Sequence, residues 1–382
     1  MTKKNFLKYI ISFLSVFLFL EIVLNFIYYF ERGRFFHSYH LNKDNTFQQF
    51  TLHGLYKFNP NVTAHMPGYP DNLSTNKYGF VSNDNFKHNL LDNEKYNIFM
   101  LGGSTVEGRG ASSNKNTISS ILERCLLKHN NNIQVINAGF SGDFSYQEFL
   151  RFAGDIIPNY KVDYVISLTG RNDAHYVFIE NSDWKINHNP SFSTFTNQIN
   201  NQNSDCISCA ITEKLSRFSL LYYGMEYYIY KFKLINDKYK KYSFSKRYSK
   251  ENFNVEQLSV NLIKAKNTFL NNLNLMKVYA NSYNIGFKAY IQPILDSSTK
   301  KNMTSNEISF LTSYAEEYGD KYFDHINEFF EKIRSENKPY IQDYSSLFLN
   351  QKDELFYDSV HYNDLGNKIL ANKICNNIKT IF

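Results

Sequence analysis

The sequence predicts an α/β fold in which a parallel sheet carries helices on both of its faces. From residue 97 onward, short apolar runs typical of buried strands alternate with stretches of helical periodicity. This alternation favours a sheet of parallel strands covered by helices. The five predicted strands are residues 98–101, 133–137, 162–168, 285–292 and 340–343. The predicted helices are residues 117–128, 146–154, 308–317 and 320–335.

Length and composition indicate one large domain with additions. The chain has 382 residues, of which 43% are hydrophobic, and this is enough to bury a substantial core. Lys and Arg number 42 against 36 Asp and Glu, so the net charge is only +6. A nucleic-acid-binding domain usually shows a much more basic surface, and we therefore expect no nucleic-acid partner.

Residues 9–30 predict a helix that anchors the protein in a membrane. This stretch is almost entirely apolar, and a helix needs about 20 residues to cross the hydrocarbon core. Glu21 and Asn25 interrupt it four residues apart, on one helical face that either packs or reaches towards the interface. A cleaved signal peptide is the alternative, but its apolar core is usually only about 7–15 residues and no small-residue cleavage site follows.

The charges around this segment predict an exported catalytic domain. Three lysines precede it and two arginines follow it; they are Lys3, Lys4, Lys8, Arg32 and Arg34. The positive-inside rule then places the N-terminus in the cytoplasm and the rest of the chain on the periplasmic or extracellular side. The predicted domains are an anchor over residues 1–34, an irregular extension over 35–95, and a catalytic domain over 96–382.

Residues 174–256 form an insertion in this catalytic domain that is too long for a plain connection. Within it, residues 215–247 interleave tyrosines with basic side chains. Three interpretations stay open: an amphipathic helix that packs its tyrosine face, a lid that contacts a glycan or an acyl chain, and a surface that rests on anionic lipid headgroups.

The four cysteines complete no metal site, and we expect neither a metal nor a cofactor. Cys206 and Cys209 have no second Cys-x-x-Cys pair or histidine cluster near them. They are predicted to form a local disulfide, with two idle thiols as the alternative. Cys125 and Cys375 lie on apolar helical faces and are predicted to be small buried hydrophobic residues.

Four short segments carry the groups that an acyl-transfer site needs. A serine is a weak nucleophile unless a histidine takes its proton, and a carboxylate holds that histidine in the correct tautomer. Ser104, His361 and Asp358 fit these three roles. The segments are Gly102-Gly103-Ser104-Thr105, Asn137-Ala138-Gly139-Phe140-Ser141-Gly142, Gly170-Arg171-Asn172-Asp173 and Asp358-Ser359-Val360-His361.

In this order the segments resemble those of the SGNH (GDSL-type) serine hydrolases, over about residues 97–379. The resemblance implies a flavodoxin-like three-layer α/β/α sandwich and an oxyanion hole formed by the N–H of Ser104, the N–H of Gly142 and the amide of Asn172. Gly103 departs from the usual Gly-Asp-Ser, as in many membrane-anchored bacterial members. Residues 74–80 also resemble a Thr-Asn-x-x-Gly-Phe segment that precedes the catalytic domain in such proteins.

Two nearby residues have competing interpretations. Gly139 is a rival to Gly142 as an oxyanion donor, but its place right after a strand favours a turn. His175 follows the third segment and is interpreted as a structural or substrate-side residue.

The expected function is a membrane-anchored serine esterase that removes O-acyl groups, acetyl first among them, from a cell-surface saccharide. An O-acyltransferase that passes the acyl group to a sugar hydroxyl would use the same residues. A non-catalytic glycan-binding or assembly subunit is the third possibility, and the complete residue set counts against it.

Overall fold

The computed structural model describes residues 3–32, 48–50, 56–58, 73–76, 78–83, 92–180, 219, 255–296, 299–319 and 322–381. The chain divides into two compact units. One comprises residues 1–46 and 194–246, and the other comprises residues 47–193 and 247–382.

In the first unit, the polar face of the N-terminal helix is buried. The helix α1 spans Lys3–Arg32, and the side chains of Glu21 and Asn25 are both less than a tenth exposed. The Asn25 amide donates to the Glu21 carbonyl at 2.9 Å and to its carboxylate at 3.0 Å, and the Ser219 hydroxyl donates to the same carboxylate at 2.9 Å. Hydrogen bonding thus accounts for both polar interruptions of the apolar run.

No helix in the described part of the chain combines the length and the apolar character that crossing a membrane requires. The anchor over residues 9–30 stays a prediction.

The second unit holds the sheet and its helices. Two short strands, β1 (Gln48–Phe50) and β2 (Tyr56–Phe58), form a separate antiparallel pair. The elements that follow are β3 (Tyr96–Gly102), α2 (Ser104–Glu107), α3 (Ile118–Leu126), β4 (Ile133–Asn137), α4 (Ser145–Arg151), α5 (Ile157–Asn159), β5 (Tyr164–Thr169), α6 (Arg171–Glu180), α7 (Val255–Ser282), β6 (Gly286–Ile291), α8 (Ser305–Tyr318), α9 (Tyr322–Arg334), β7 (Ile341–Asp343) and α10 (Asp364–Ile378).

The five-stranded parallel sheet predicted from the sequence is confirmed. Its spatial order is β4-β3-β5-β6-β7, and every neighbouring pair is parallel. Counted from β3, this is the order 2-1-3-4-5 of flavodoxin-like folds. The chain reverses direction across the sheet between β3 and β5, and ligands of such folds bind at the carboxyl edge beside that point.

Side-chain alternation along β3 shows why helices cover both faces of the sheet. Phe99 and Leu101 belong to one buried cluster, whereas Ile98 and Met100 belong to another. Helices α4, α6, α7 and α9 contribute to the first cluster, and α3 and α10 contribute to the second. The three-layer α/β/α sandwich is therefore confirmed.

Part of the predicted irregular extension is ordered against the edge of this sheet. Val81 bridges Asn137 on the edge strand β4 and also bridges Thr75. The turn between them is held by Asn76, whose side-chain oxygen accepts the N–H groups of Tyr78 at 2.9 Å and Phe80 at 3.1 Å. An exposed edge strand invites pairing with another chain, so this segment protects β4.

The prediction that Cys125 and Cys375 are only small buried hydrophobic residues is wrong, because they form a disulfide. The sequence correctly indicated apolar helical faces, and Cys375 is fully buried. It did not indicate that α3 packs on α10, which brings the two Cα atoms to 6.3 Å, a distance that a disulfide can span. Cys206, Cys209 and the stretch 215–247 lie outside the described residues, apart from Ser219.

Candidate active site

Ser104 stands at the carboxyl edge of the sheet, at the first position of α2. The strand β3 ends at Gly102, and Gly103 is the extended residue that caps the helix. Glu107, at the other end of this helix, is fully buried and accepts the backbone N–H of Ser141 at 2.5 Å. This bond ties the helix to the loop after β4, so Ser104 is presented from a short and well-fixed turn.

A chain of hydrogen bonds links Ser104 to His361 and Asp358. The Ser104 Oγ lies 2.6 Å from His361 Nε2. On the other side of the ring, His361 Nδ1 lies 2.7 Å from Oδ2 and 2.9 Å from Oδ1 of Asp358. With the imidazole neutral and its proton on Nδ1, the ring donates to Asp358 and accepts from the serine hydroxyl.

The charges of this chain are set by opposing effects. Burial raises the pKa of Asp358, but hydrogen bonds from the His361 ring and from two backbone N–H groups bring it down to about 2. Burial lowers the pKa of His361, and this outweighs the opposite influence of Asp358. The positive charges of Arg109 and Arg171 lower it further. Near neutral pH, Asp358 is therefore ionised and His361 is neutral.

The loop that carries His361 is held by its own backbone and by a buried tyrosine. Phe356 bridges Tyr362 in an antiparallel manner, and the Tyr357 N–H donates to the His361 carbonyl at 2.8 Å. The Tyr362 side chain is fully buried, and its hydroxyl donates to the carbonyl of Pro293, just beyond β6, at 2.5 Å. These contacts fix the imidazole relative to the sheet edge.

The structure places Asn172 against Gly103, the residue before Ser104, and joins it to the loop that contains Gly142. The Asn172 amide donates to the backbone carbonyl of Asp143 at 2.7 Å, which joins the β5–α6 junction to the loop after β4. A Cβ atom on Gly103 would lie only 2.6 Å from this amide nitrogen, so Asn172 packs directly over the residue before the nucleophile. Gly142 has a φ of 84°, a conformation that favours glycine.

Gly139 is not in a comparable position. A Cβ atom there would lie 2.4 Å from the backbone nitrogen of Glu107, and the Gly139 N–H donates to the Asn137 side chain at 3.1 Å. Close packing against α2 explains this glycine. His175 is likewise outside the Ser104 chain, because its Nδ1 lies 2.8 Å from the Tyr322 hydroxyl within an aromatic cluster.

Beneath the β5–α6 junction lie buried carboxyl groups that the sequence did not single out. Burial raises the pKa of Glu148 to about 8 and that of Asp173 to about 7. The Ser167 hydroxyl donates to Glu148 at 2.5 Å, and Ser145 donates its N–H and hydroxyl to Asp173 at 3.1 Å and 2.5 Å.

Asp143 is buried in the same region, where burial raises its pKa. It forms an ion pair with Arg151 at 2.8 Å. These carboxyls belong to the support of the site and do not touch Ser104.

Two arginines near the site were also missed. Arg109 and Arg171 both act electrostatically on His361, although only the segment containing Arg171 was noted as a motif. Arg171 stands at the start of α6, where a positive charge is unfavourable, but the sequence predicted no helix at this position. For Arg109, nothing in the sequence marks its approach to residue 361.

Within the described residues, no group of His, Cys, Asp or Glu side chains is arranged to hold a metal ion.

One protein-family model matches most of the chain. The family model of the GDSL-like lipase/acylhydrolase matches residues 98–374, which include all four motif segments. No curated protein sequence matches the chain.

Several solved structures are similar to the chain. The lipase/acylhydrolase from Enterococcus faecalis shares 14% identity with a TM-score of 0.38, and the match covers 75% of this chain and 96% of that one. The acetyl xylan esterase AlAXEase shares 12% identity with a TM-score of 0.38, covering 74% and 99%. The esterase EstA from Pseudoalteromonas sp. shares 14% identity with a TM-score of 0.37, covering 76% and 98%.

Proposed function

The chain belongs to the GDSL-like lipase/acylhydrolase family and is an ester-hydrolysing enzyme, and we propose that Ser104, His361 and Asp358 carry out its chemistry. The observation that carries this assignment is the unbroken chain of hydrogen bonds from the Ser104 hydroxyl through both nitrogens of His361 to Asp358. Ser104 is only half-buried, so a substrate has access to its hydroxyl.

In the first half of the reaction, His361 Nε2 takes the proton of Ser104 as the serine oxygen attacks the ester carbonyl. His361 then gives this proton to the departing alcohol, which leaves an acyl group on Ser104. A water molecule attacks the acyl-enzyme in the second half, again with His361 as the base. The ionised Asp358 keeps the Nδ1 proton in place and stabilises the imidazolium that forms in each step.

The negative charge on the carbonyl oxygen needs donors that are already oriented. We assign this role to the backbone N–H groups of Ser104 and Gly142 and to the side-chain amide of Asn172. One hydrogen of the Asn172 amide is used by Asp143, and the second remains for the oxyanion. Each such donor contributes about 3 kcal/mol to transition-state stabilisation.

For the substrate, we propose an O-acyl ester, acetyl first, on a cell-surface saccharide, cleaved by an enzyme anchored in a membrane and exported. The apolar run over residues 9–30 and the lysines before it support the anchor. Large apolar side chains are exposed along α1, among them Leu18, Phe19 and Phe26. The Cys125–Cys375 disulfide supports export, because such bonds form and persist in oxidising compartments.

The nucleophile can be tested by labelling and turnover with the full chain in detergent. Ser104→Ala should lose both fluorophosphonate labelling and hydrolysis of 4-nitrophenyl acetate, because it removes only the attacking hydroxyl. Ser313→Ala, which removes an exposed serine hydroxyl on α8, is the matched control and should keep both. Labelling of a different serine would refute the assignment.

The same preparation distinguishes esterase from transferase. With an O-acetylated oligosaccharide as donor, we expect free acetate to form at the same rate with and without an unacetylated acceptor sugar. Transfer of the acetyl group to the acceptor would assign the chain as an O-acyltransferase.

The topology can be tested separately with a reporter. Alkaline phosphatase fused to the C-terminus of the full chain should be active in a bacterial host and remain in the membrane fraction. A soluble, shortened product would indicate a cleaved signal peptide instead.

A further inference from the structure

Arg171 is a buried cation that follows β5 and immediately precedes Asn172, the proposed oxyanion donor. Its side chain is 6% exposed, and it makes no hydrogen bond or ion pair with any described residue. Its guanidinium carbon lies 5.9 Å from the ring centre of Tyr322. Four tyrosines act electrostatically on the guanidinium; they are Tyr176, Tyr314, Tyr318 and Tyr322.

Such an arrangement is unfavourable for the protein alone. A guanidinium has five N–H donors, and a charge that is 6% exposed without protein acceptors loses most of its hydration without compensation. Contact with an aromatic ring restores only part of that loss. Arg171 is also the first residue of the ten-residue helix α6, whose N-terminus carries a partial positive charge of its own. Two positive potentials therefore coincide at this point.

Among the described residues, the first two titratable side chains that follow Arg171 on α6 form no ion pair with it. The carboxylate of Asp173 is turned towards Ser145 and accepts both of its donors there. Burial, reinforced by Arg171, lowers the pKa of His175 well below its ordinary value, so this ring is neutral. The guanidinium still reaches solvent, because its nitrogens are not among the described polar atoms that are fully enclosed without a partner.

This cation lies within electrostatic range of the reacting groups. Arg171 is adjacent in sequence to Asn172, whose amide packs over Gly103. The charge of Arg171 also acts on His361, the residue that contacts Ser104. An anion bound at Arg171 would therefore lie on the same side of the site as the ester under attack.

We propose that Arg171 and the N-terminus of α6 bind a carboxylate of the substrate, so that the enzyme prefers an O-acylated acidic sugar over a neutral one. This inference rests on the proposed function. An arginine suits the role because its planar fork matches the two oxygens of a carboxylate. Three of the four tyrosines around it are themselves buried, so little water competes for the guanidinium.

The experiment compares two substrates that differ only in the carboxylate. These are O-acetylated methyl glucuronide and methyl glucoside with the acetyl group at the same position, and acetate release gives kcat/KM for each. For the unaltered protein we expect the acidic substrate to be preferred by more than tenfold, mainly through a lower KM. Arg171→Gln should reduce this ratio by at least tenfold, which corresponds to about 1.4 kcal/mol of binding.

Two further variants separate a binding role from a structural one. Arg171→Lys keeps the charge but not the fork, and should retain part of the preference. Lys128→Gln removes one exposed positive charge from the surface after α3 and should leave the ratio unchanged. If Arg171→Gln does not fold, inhibition of the unaltered protein decides instead: methyl glucuronide should inhibit hydrolysis of 4-nitrophenyl acetate competitively, and methyl glucoside should not.

The opposite results are equally clear. Equal kcat/KM for both sugars, or a preference that survives Arg171→Gln, would overturn the inference. A preference for 4-nitrophenyl hydrogen succinate over 4-nitrophenyl acetate, with no preference among the sugars, would place the carboxylate on the acyl group and overturn the sugar assignment. Hydrolysis of the neutral esters that depends on Ser104 would show, in each case, that the proposed function itself stands.

Discussion

The loop that carries Asp358 and the region beneath the β5–α6 junction hold carboxyl groups whose pKa values are shifted in opposite directions. The pKa of Asp358 is lowered to about 2, whereas the pKa of Glu148 is raised to about 8 and that of Asp173 to about 7. Burial raises the pKa in all three cases. The difference lies in the donors, because Asp358 accepts from the His361 ring and from the N–H groups of His361 and Val360.

Glu148, by contrast, accepts hydrogen bonds only from neutral hydroxyl groups, and the nearby carboxyls Asp143 and Asp173 raise its pKa further. The comparison shows that imidazole and backbone N–H donors keep Asp358 ionised near neutral pH, whereas burial with only hydroxyl donors keeps Glu148 protonated. Near neutral pH, Glu148 is a protonated structural group, and Asp358 is an ionised group that orients the base.

The largest expected effect comes from removing the charge of Asp358. Asp358→Asn should lower kcat for 4-nitrophenyl acetate by about 10³- to 10⁴-fold, because an amide no longer holds the Nδ1 proton of His361 in place. Glu148→Gln is the matched control, a carboxyl-to-amide change at a group that is already neutral. We expect it to keep kcat within about threefold at pH 7, and equal losses in both variants would invalidate the comparison.

The next largest effect is expected from a variant that displaces Asn172 at the β5–α6 junction and leaves the His361 loop unchanged. In Gly103→Ala, the new Cβ would lie 2.6 Å from the Asn172 amide nitrogen, so this side chain must move. Loss of one oxyanion donor should lower kcat about 10²-fold, as measured with the same ester. Gly154→Ala, where a Cβ meets nothing within 4 Å, should show no change. An active Gly103→Ala would argue against Asn172 as a donor.

A third effect concerns stability and pH. The pKa of Glu148 is 4.5 in the unfolded chain and about 8 in the folded protein. Between these two pH values, the folded state holds a proton on Glu148 that the unfolded state has lost. Its contribution to stability is therefore complete below about pH 4.5 and is lost as the pH rises through 8. Glu148→Gln should flatten this decline and unfold a few degrees higher than the unaltered protein at pH 8. Thermal unfolding from pH 5 to 8 tests this, and parallel curves would contradict it.

The smallest expected effect is a shift in the pKa of His361. Since the pKa of His361 is lowered from 6.5, kcat/KM for a neutral ester should stay high at pH 6.5 and fall only at lower pH. Arg109→Gln removes one of the charges that lower this pKa and should move the acid limb upward by less than about one pH unit. Lys128→Gln should leave the acid limb of the pH profile where it is. An unchanged acid limb in Arg109→Gln would show that Arg109 does not lower the pKa of His361.

Much of the site could be predicted because the fold repeats one local pattern. Strand, turn and helix follow each other in the chain, so the residues after β3 and β5 were expected at one edge of the sheet. Ser104 and Asn172 could be selected in this way. The Asp358–His361 pair could be selected because three residues suffice to place a carboxylate on an imidazole.

Other features depend on partners far away in the sequence. Cys125 and Cys375 are 250 residues apart, and only the packing of α3 on α10 brings them together. The neutral state of Glu148 results from its complete burial beneath the junction, which no spacing of residues reveals.

The sequence by itself predicted five parallel strands, a candidate nucleophile, base and carboxylate, and the resemblance to an ester-hydrolysing family. These follow from local periodicity and from short motifs, whose physics acts over a few residues. Only the tertiary structure decided which carboxyls are ionised, which cysteines are joined, and that Arg171 is buried without an ion pair to any residue that the structure describes. Charge, burial and hydrogen-bond supply are properties of the packed surroundings, because each depends on atoms contributed by several separate segments of the chain.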